Sequence, residues 1–143
     1  TAHPLSLHDA LPIFEGTEIS VGVYGINGNV IILPATEIIS ENDFFDYQAK
    51  YEGKSEEITP AKIDIHIVKK VNNISEKLYR KMELSGICRS EFILVKNEPH
   101  LLEINTVPGL TGESLIPKQL DAAGINITDF FDQLIEEALK KNN

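Results

Sequence analysis

The sequence predicts an α+β fold in which an antiparallel sheet is flanked by helices. Two stretches alternate apolar and polar residues around turn sequences, as the strands of a hairpin do. Two other stretches repeat apolar residues every three or four positions, which is typical of amphipathic helices. The 143 residues suffice for one domain with a hydrophobic core, and the hydrophobic fraction of 42% is ordinary for a globular protein.

The first hairpin is predicted in TEISVGVYGINGNVIILPA. Apolar residues alternate with smaller or polar ones in ISVGVY, INGN contains the Asn-Gly pair that favours tight turns, and Pro34 closes the strand VIIL. The polar stretch SENDFFDYQAKYEGKSEEITPA is predicted to be a long loop with one short helical turn near residues 43–47. Long loops inside compact domains often bind ligands.

Three helices are predicted. The first covers residues 61–84 and ends at SGI, where Gly86 stops it; its apolar stripe consists of Ile67, Val71, Ile74, Leu78 and Met82. The second, SLIPKQLDAAG, is capped by Ser114 and stopped by Gly124. The third lies in NITDFFDQLIEEALKKNN, and the residues predicted to face inward are Phe130, Leu134 and Leu139.

ICRSEFILVKNEPHLLEIN predicts a second hairpin with its turn around residues 96–99. Side chains alternate between the two faces of a strand, so Arg89 and Glu91 share one face of the first strand. Glu103 and Asn105 likewise share one face of the second strand. A three-residue turn would set Glu91 opposite Glu103 and Arg89 opposite Asn105.

Two facing carboxylates repel each other, so their pairing calls for a shared proton or a hard cation. Together with the Asn105 amide, Glu91 and Glu103 form the oxygen set that Mg²⁺ prefers, usually completed by phosphate oxygens. The next loop, TVPGLTGES, contains Gly109, where the backbone can approach an anion, and Ser114 opens a helix whose N-terminus favours one. The sequence therefore predicts a site for Mg²⁺ and a nucleotide phosphate; a solvated hairpin face without a ligand is the alternative.

Composition restricts the function further. The formal net charge of -9 argues against nucleic acid or an anionic membrane as a partner. Cys88 is the only cysteine, so we expect no disulfide framework, a buried and inert thiol, and a reducing, cytoplasmic setting. No apolar run is long enough to span a bilayer.

The first residues need separate treatment. LSLHDALPI is similar to the translation of a common high-throughput sequencing adapter. We therefore expect residues 1–13 to be an artefactual leader and residues 14–143 to form the domain. A genuine N-terminal loop is the alternative.

Three motifs, in order, carry a family resemblance. RSEFILV…HLLEINTVPGLTGESLIPKQLDAAG resembles the C-terminal signature of D-alanine–D-alanine ligases, members of the ATP-grasp superfamily. FFDYQAKY resembles the mobile loop of that family, and GTEISVGV resembles the strand after its hinge. The resemblance covers residues 14–143 and implies the C-terminal part of an ATP-grasp domain. It leaves the family's N-terminal domain and much of its central region without a counterpart in the sequence.

The resemblance implies an activity and its cofactors. The family ligates two D-alanines at the expense of ATP, through an acyl phosphate, for peptidoglycan precursor synthesis in the cytoplasm. It uses ATP and two Mg²⁺ ions, with Mn²⁺ as an alternative, and its members are often homodimers. We expect this piece alone to be inactive, because half a cleft cannot preorganise a transition state.

The resemblance also implies roles for ten residues. The implied metal ligands are Glu91, Glu103 and Asn105, with Glu103 bridging both ions. The family more often has Asp at the first of these positions, and Glu keeps the charge and the oxygen donors. The residues that bind substrate or stabilise charge are Arg89 for the acyl phosphate, the Gly109 N–H as an oxyanion donor, and Ser114 with the Leu115 N–H for the second D-alanine carboxylate. The residues that contact ATP or close over it are Glu18 at the ribose, Lys50 at the γ-phosphate and Tyr51 in the loop.

Three alternatives stay open. A sister enzyme would join D-alanine to D-lactate or D-serine, although Tyr51 favours D-alanine over D-lactate in this family. Another ATP-grasp carboxylate–amine ligase would share the Glu and Asn ligands but lack the VPGLT and SLIP sequences. A non-catalytic module would bind Mg²⁺ and ATP without turnover.

Overall fold

The structure, a computed structural model, describes residues 15–40 and 55–141. The strands in these ranges are β1 (Thr17–Ile26), β2 (Asn29–Ile32), β3 (Thr36–Ser40), β4 (Ser55–Ile58), β5 (Ile87–Val95) and β6 (Glu98–Asn105). The helices are α1 (Ile65–Lys81), α2 (Leu115–Ala122) and α3 (Ile127–Lys141). All strands pair antiparallel in one sheet, which confirms the predicted α+β class.

The sheet has the order β4-β3-β1-β5-β6, and β2 also pairs with β1. The long strand β1 therefore has two successive neighbours along the same edge. Its pairing with β3 ends at Ser20, opposite Thr36, and its pairing with β2 begins at Val23, opposite Ile32. On its other edge, β1 pairs with β5 along most of its length.

Two of these strands were not predicted. β3 lies just after the first hairpin, and β4 lies inside the stretch predicted to be a loop. The sequence of β4, SEEI, is short and polar, and it is a strand because its backbone pairs with β3. The prediction of a loop was therefore wrong for β4. The helical turn predicted near residues 43–47 lies outside the described residues.

The first helix is shorter than predicted. Asp64 caps its start by accepting a hydrogen bond from the His66 N–H at 2.7 Å. At its end Glu83, with φ of 51°, reverses the chain, and the Leu84 N–H donates to the Tyr79 carbonyl at 3.0 Å. The predicted stop at Gly86 was therefore wrong. The helix face in the core consists of Ile67, Val71, Ser75 and Tyr79.

The sheet lies between two helical layers. One face packs on α1 through an apolar cluster that includes Ile19, Val21, Val23, Phe92 and Leu94. The opposite face packs on α2 and α3, where the rings of Tyr24 and Phe130 meet edge to face at 5.0 Å. Phe130 is buried as predicted, whereas the prediction for Leu139 was wrong, since it is 60% exposed. Among the described helices, none is long and apolar enough to cross a membrane.

Candidate active site

Four of the predicted site residues lie together on the β5–β6 hairpin. Glu91 pairs with Glu103, and Arg89 pairs with Asn105. All four point to the face of the sheet that α2 and α3 cover, because they alternate with residues directed to α1. The sequence predicted this juxtaposition correctly.

The predicted turn was wrong, although the pairing was right. Val95 pairs with Glu98, so the turn has two residues, both with positive φ, rather than three. The register then shifts by one between Phe92 and Glu91, which leaves Leu102 as an extra residue on β6. This bulge restores the pairing that a longer turn would have produced.

Glu91 is buried in the middle of the site. Its Oε1 accepts hydrogen bonds from the Ser20 Oγ, at 3.3 Å, and from the Arg89 Nε. Burial raises the pKa of the Glu91 carboxyl, the charge and hydrogen bond of Arg89 oppose this, and the charge of Glu18 adds to the rise. The carboxylate is therefore costly to keep ionised without a further positive partner.

The second oxygen of Glu91, Oε2, is buried and has no hydrogen-bond partner. Two other buried side-chain atoms in the described part lack a partner, Asn72 Oδ1 and Ser75 Oγ, and both belong to neutral groups. A buried, unpaired carboxylate oxygen costs far more free energy than a neutral one unless a cation or donor approaches it. The unpaired Oε2 of Glu91 is therefore suited to bind a metal ion.

The other two predicted ligands are more open. Glu103 is exposed, and Asn105 is half-buried with its Oδ1 accepting the Val107 N–H at 3.0 Å. No group of three or more His, Cys, Asp or Glu side chains among the described residues could hold a metal ion. Two carboxylates and an amide would hold Mg²⁺ only with further oxygens from phosphate or water, as Mg²⁺ sites usually do.

Gly109 and Ser114 come together at the start of α2. A Cβ at Gly109 would lie 2.8 Å from the Ser114 Oγ, so the lack of a side chain allows this approach. Ser114 occupies the N-cap position, but its side chain does not cap the helix. Its Oγ instead accepts the Thr111 N–H at 3.2 Å and lies 2.9 Å from the Thr111 Oγ1, so the predicted side-chain cap was wrong.

The remaining predicted residues are divided. Glu18, half-buried on β1, lies two positions from Ser20 and so shares the face of the sheet that carries Glu91. Lys50 and Tyr51 lie outside the described residues. The hydrogen bond from Ser20 was missed, although its alternation with Ile19 and Val21 had already placed it on the polar face.

Gln119 and Gly22 were missed as well. Gln119, fully buried on α2, bonds to β1 at both Ser20 and Gly22. Nothing local in SLIPKQLDAAG distinguishes a buried Gln from an exposed one. Its role could only be found once α2 was placed against the sheet.

Two surface depressions lie away from this site. One, of about 500 Å³, is lined by Thr17, Lys62 and Asp64 among others, and one of about 370 Å³ by Tyr79 and Glu137 among others. Neither contains a predicted site residue. The candidate site therefore lies outside both of these depressions.

An antiparallel sheet that carries paired carboxylates and an amide, followed by a glycine-containing loop and a helix start, defines the C-terminal part of an ATP-grasp ligase domain. The chain belongs to the family described as D-ala D-ala ligase C-terminus, whose profile matches residues 12–136.

Curated relatives carry the same name. The chain is 55% identical over 125 residues to a D-alanine--D-alanine ligase from Flavobacterium johnsoniae, covering 87% of this chain. It is 40% identical over 127 residues to a D-alanine--D-alanine ligase from Parabacteroides distasonis, covering 88% of this chain. It spans only 39% of the first relative's length and 38% of the second's.

Solved structures share the fold. A D-alanine--D-Alanine ligase from Bacillus anthracis complexed with ATP matches with a TM-score of 0.71 and 32% identity, covering 90% of this chain and 41% of that one. VanG D-Ala:D-Ser ligase from Enterococcus faecalis matches with a TM-score of 0.74 and 30% identity, covering 87% and 36%.

Proposed function

We propose that this chain is the C-terminal part, residues 14–143, of a cytoplasmic ligase that joins two D-alanines at the expense of ATP for peptidoglycan precursor synthesis. The observation that carries the proposal is the pairing of Glu91 with Glu103 beside Arg89 and Asn105, with one buried Glu91 oxygen left without a partner. Family membership and the names of the relatives support it. We further propose that residues 1–13 are an artefactual leader and that the whole enzyme is a homodimer.

Glu91, Glu103 and Asn105 would hold two Mg²⁺ ions, with Mn²⁺ as an alternative, and Glu103 would contact both. When bound, these ions neutralise the charge of the ATP phosphates and of the phosphoryl group in transfer. The chain contributes one buried carboxylate held by Ser20 and Arg89, and two more open ligands. The buried ligand fixes the position of the site, and the open ones leave room for phosphate.

Arg89 would bind the acyl phosphate and the charge that develops when the second amine attacks it. Its guanidinium is partly exposed beside Glu91, so it is oriented and still accessible. The Gly109 N–H would donate to the oxyanion. Ser114 and the Leu115 N–H would bind the carboxylate of the second D-alanine, which the uncapped start of α2 favours.

The ATP contacts complete the proposal. Glu18 would accept hydrogen bonds from the ribose hydroxyls, Lys50 would bind the γ-phosphate, and Tyr51 would help to close the site against water. Glu18 has support from its place on the polar face of the sheet. Lys50 and Tyr51 have support only from their place in the family motif.

The second substrate could differ. The likeness to a D-Ala:D-Ser ligase, at a TM-score of 0.74, is as close as the likeness to the ATP-bound D-alanine ligase. The fold therefore does not separate D-alanine from D-serine as the second substrate. D-Alanine is preferred because the curated relatives at 40–55% identity carry that name.

A chimera tests the function. The aligned 125 residues of the Flavobacterium johnsoniae ligase are replaced by the matching residues of this chain, and ADP release is measured with Mg²⁺, ATP and D-alanine. We expect D-alanine-dependent ADP release, and none from the isolated chain. Parallel assays with D-serine or D-lactate added to D-alanine identify the second substrate by mass spectrometry of the product.

Two variants of the chimera separate the site from the scaffold. Glu103→Gln should lower kcat by roughly 100-fold or more, because charge stabilisation of the transition state is lost. Glu98→Gln is the matched control, since Glu98 lies on the same strand and its carboxylate forms an exposed ion pair with Lys70. An active Glu103→Gln chimera would refute the metal role, and a chimera that binds ATP without D-alanine-dependent turnover would favour a non-catalytic module.

A further inference from the structure

One buried amide lies where β1 changes neighbours. β1 leaves β3 after Ser20 and meets β2 only at Val23, because residues 33–35, with Pro34, intervene between β2 and β3. Gln119 reaches this gap from α2. Its Oε1 accepts the Gly22 N–H at 2.9 Å, and its Nε2 donates to the Ser20 carbonyl at 3.0 Å.

These two bonds repeat the pattern of a neighbouring strand. A residue of a parallel neighbouring strand accepts the N–H of one residue and donates to the C=O of the residue two positions before it, as the Gln119 amide does with Gly22 and Ser20. The Nε2 also donates to the Thr36 Oγ1 at 3.0 Å, so the amide bonds to β3 as well. Gln119 is fully buried, and a Cβ at Gly22 would lie 2.7 Å from its Oε1. The amide therefore fits this gap closely.

The amide and the candidate metal ligand meet at the same residue. The backbone of Ser20 is held by Gln119, and the side chain of Ser20 donates to the Glu91 Oε1 at 3.3 Å. Gln119 also follows Ser114 by five residues on α2. It thus joins the helix that begins at the proposed D-alanine subsite to the strand that orients Glu91.

We propose that Gln119 is a positioning residue: it substitutes for a neighbouring strand residue beside Ser20 and thereby orients the Glu91 carboxylate for metal binding. The inference rests on the metal role given to Glu91 above. Groups that orient a metal ligand typically change metal affinity by roughly 10- to 100-fold when they are removed. Gln119 acts on Glu91 through Ser20 rather than directly, so we expect a change in metal affinity at the lower end of this range.

The test measures Mn²⁺ binding to the purified 143-residue chain by electron paramagnetic resonance. Gln119→Met keeps the length and removes the amide, and it should raise the Kd for Mn²⁺ roughly tenfold. Faster hydrogen exchange of the Gly22 amide verifies that the intended bond is lost. Gln133→Met, an exposed position on α3, is the matched surface control and should leave the Kd unchanged.

A second comparison removes a purely structural explanation. Leu120→Ala creates a cavity on the same helix without touching Ser20, and it should lower the melting temperature and leave the Kd nearly unchanged. Ser20→Ala keeps the backbone bonds and removes the donor to Glu91. If Gln119 acts through Ser20, the double variant Gln119→Met/Ser20→Ala should raise the Kd little more than Ser20→Ala alone. Ser20→Ala also serves if Gln119→Met does not fold, since an unchanged Kd in that variant would overturn the proposal.

The outcomes separate this inference from the proposed function. An unsubstituted chain that does not bind Mn²⁺, or a Glu91→Gln variant that binds it equally well, refutes the metal role and the inference together. Normal binding that Glu91→Gln abolishes and Gln119→Met leaves unchanged overturns the inference alone. Equal weakening by Leu120→Ala also overturns it, because general loosening of the helix would then be the cause.

Discussion

The two faces of the sheet consist of alternate residues of the same strands, yet they differ in content. The face toward α1 is apolar along β1 and β5, from Ile19 to Val23 and from Cys88 to Leu94, with Ser90 as its polar exception. The face toward α2 has its apolar cluster at one end, around Tyr24. At its other end it carries the charged and amide groups of the candidate site. The face toward α1 therefore stabilises the fold through apolar burial. Part of the other face instead carries the polar groups of the candidate site, which stabilise the fold less.

The largest expected effect lies on the apolar face. Phe92 is fully buried between the sheet and α1, so Phe92→Ala should lower the free energy of unfolding by about 3–5 kcal/mol. Glu103→Gln, on the polar face, should change it by no more than about 0.5 kcal/mol. Urea unfolding followed by circular dichroism measures both. Similar losses from the two substitutions would contradict the division of roles between the faces.

The next effect lies on the face toward α2, at Gly22, between the apolar cluster around Tyr24 and the candidate site. A Cβ at Gly22 would lie 2.7–2.8 Å from atoms of Gln119, Ile116 and Leu33, so Gly22→Ala should cost about 1–3 kcal/mol. Gly112→Ala is the matched control, because a Cβ there meets nothing within 4 Å. Thermal unfolding of the two variants makes the comparison. A Gly22→Ala protein as stable as the control would show that α2 packs less closely than the structure indicates.

The buried carboxylate should make the stability of the metal-free chain depend on pH. The pKa of Glu91 is raised above its usual value of 4.5, chiefly by burial, so the folded state binds the proton more tightly than the unfolded state. Stability from this group is present below that value and falls as pH rises through the raised pKa. Glu91→Gln cannot ionise and should melt a few degrees higher than the unsubstituted chain at neutral pH, and less so near pH 4. Melting curves in a chelator, recorded across this range, would contradict the idea if the difference were constant or reversed.

The last effect is one on reactivity rather than on stability, and it concerns the apolar face alone. Burial raises the pKa of the Cys88 thiol to about 11. At pH 8 the native thiol should react with a disulfide reagent at least roughly a hundredfold more slowly than the unfolded chain does, because little thiolate is present and access is blocked. Absorbance at the reagent's product band, with and without urea, measures the two rates. Fast labelling of the native chain would show that this face opens readily.

Local patterns predicted most of the elements. Alternation located β1, β5 and β6, and three-to-four periodicity located α1 and α3, because side-chain direction follows from backbone geometry alone. The Asn-Gly turn and the apolar run VIIL located β2. Element ends were less well predicted. Glu83 ends α1 with a positive φ that a Gly would adopt more easily, so the nearby Gly86 was a misleading signal.

The candidate site shows the same division. Alternation placed Glu91 with Arg89, and Glu103 with Asn105, before any fold was known. The pairing of Glu91 with Glu103 was predicted correctly, but from a three-residue turn that does not exist. The actual turn has two residues, and the bulge at Leu102 shifts the register by the one residue that makes up the difference. A bulge depends on how two strands twist and meet, which no short stretch of sequence specifies.

The sequence by itself therefore determined the α+β class, the four residues on one polar strand face and the helix start at Ser114. These depend on interactions between residues close in the chain. Tertiary structure alone decided that SEEI becomes a strand and that Gln119 closes the gap beside Ser20. These depend on partners brought together by packing, up to 99 residues apart in the chain, and hydrogen-bonding groups buried there must find whichever partner the fold supplies.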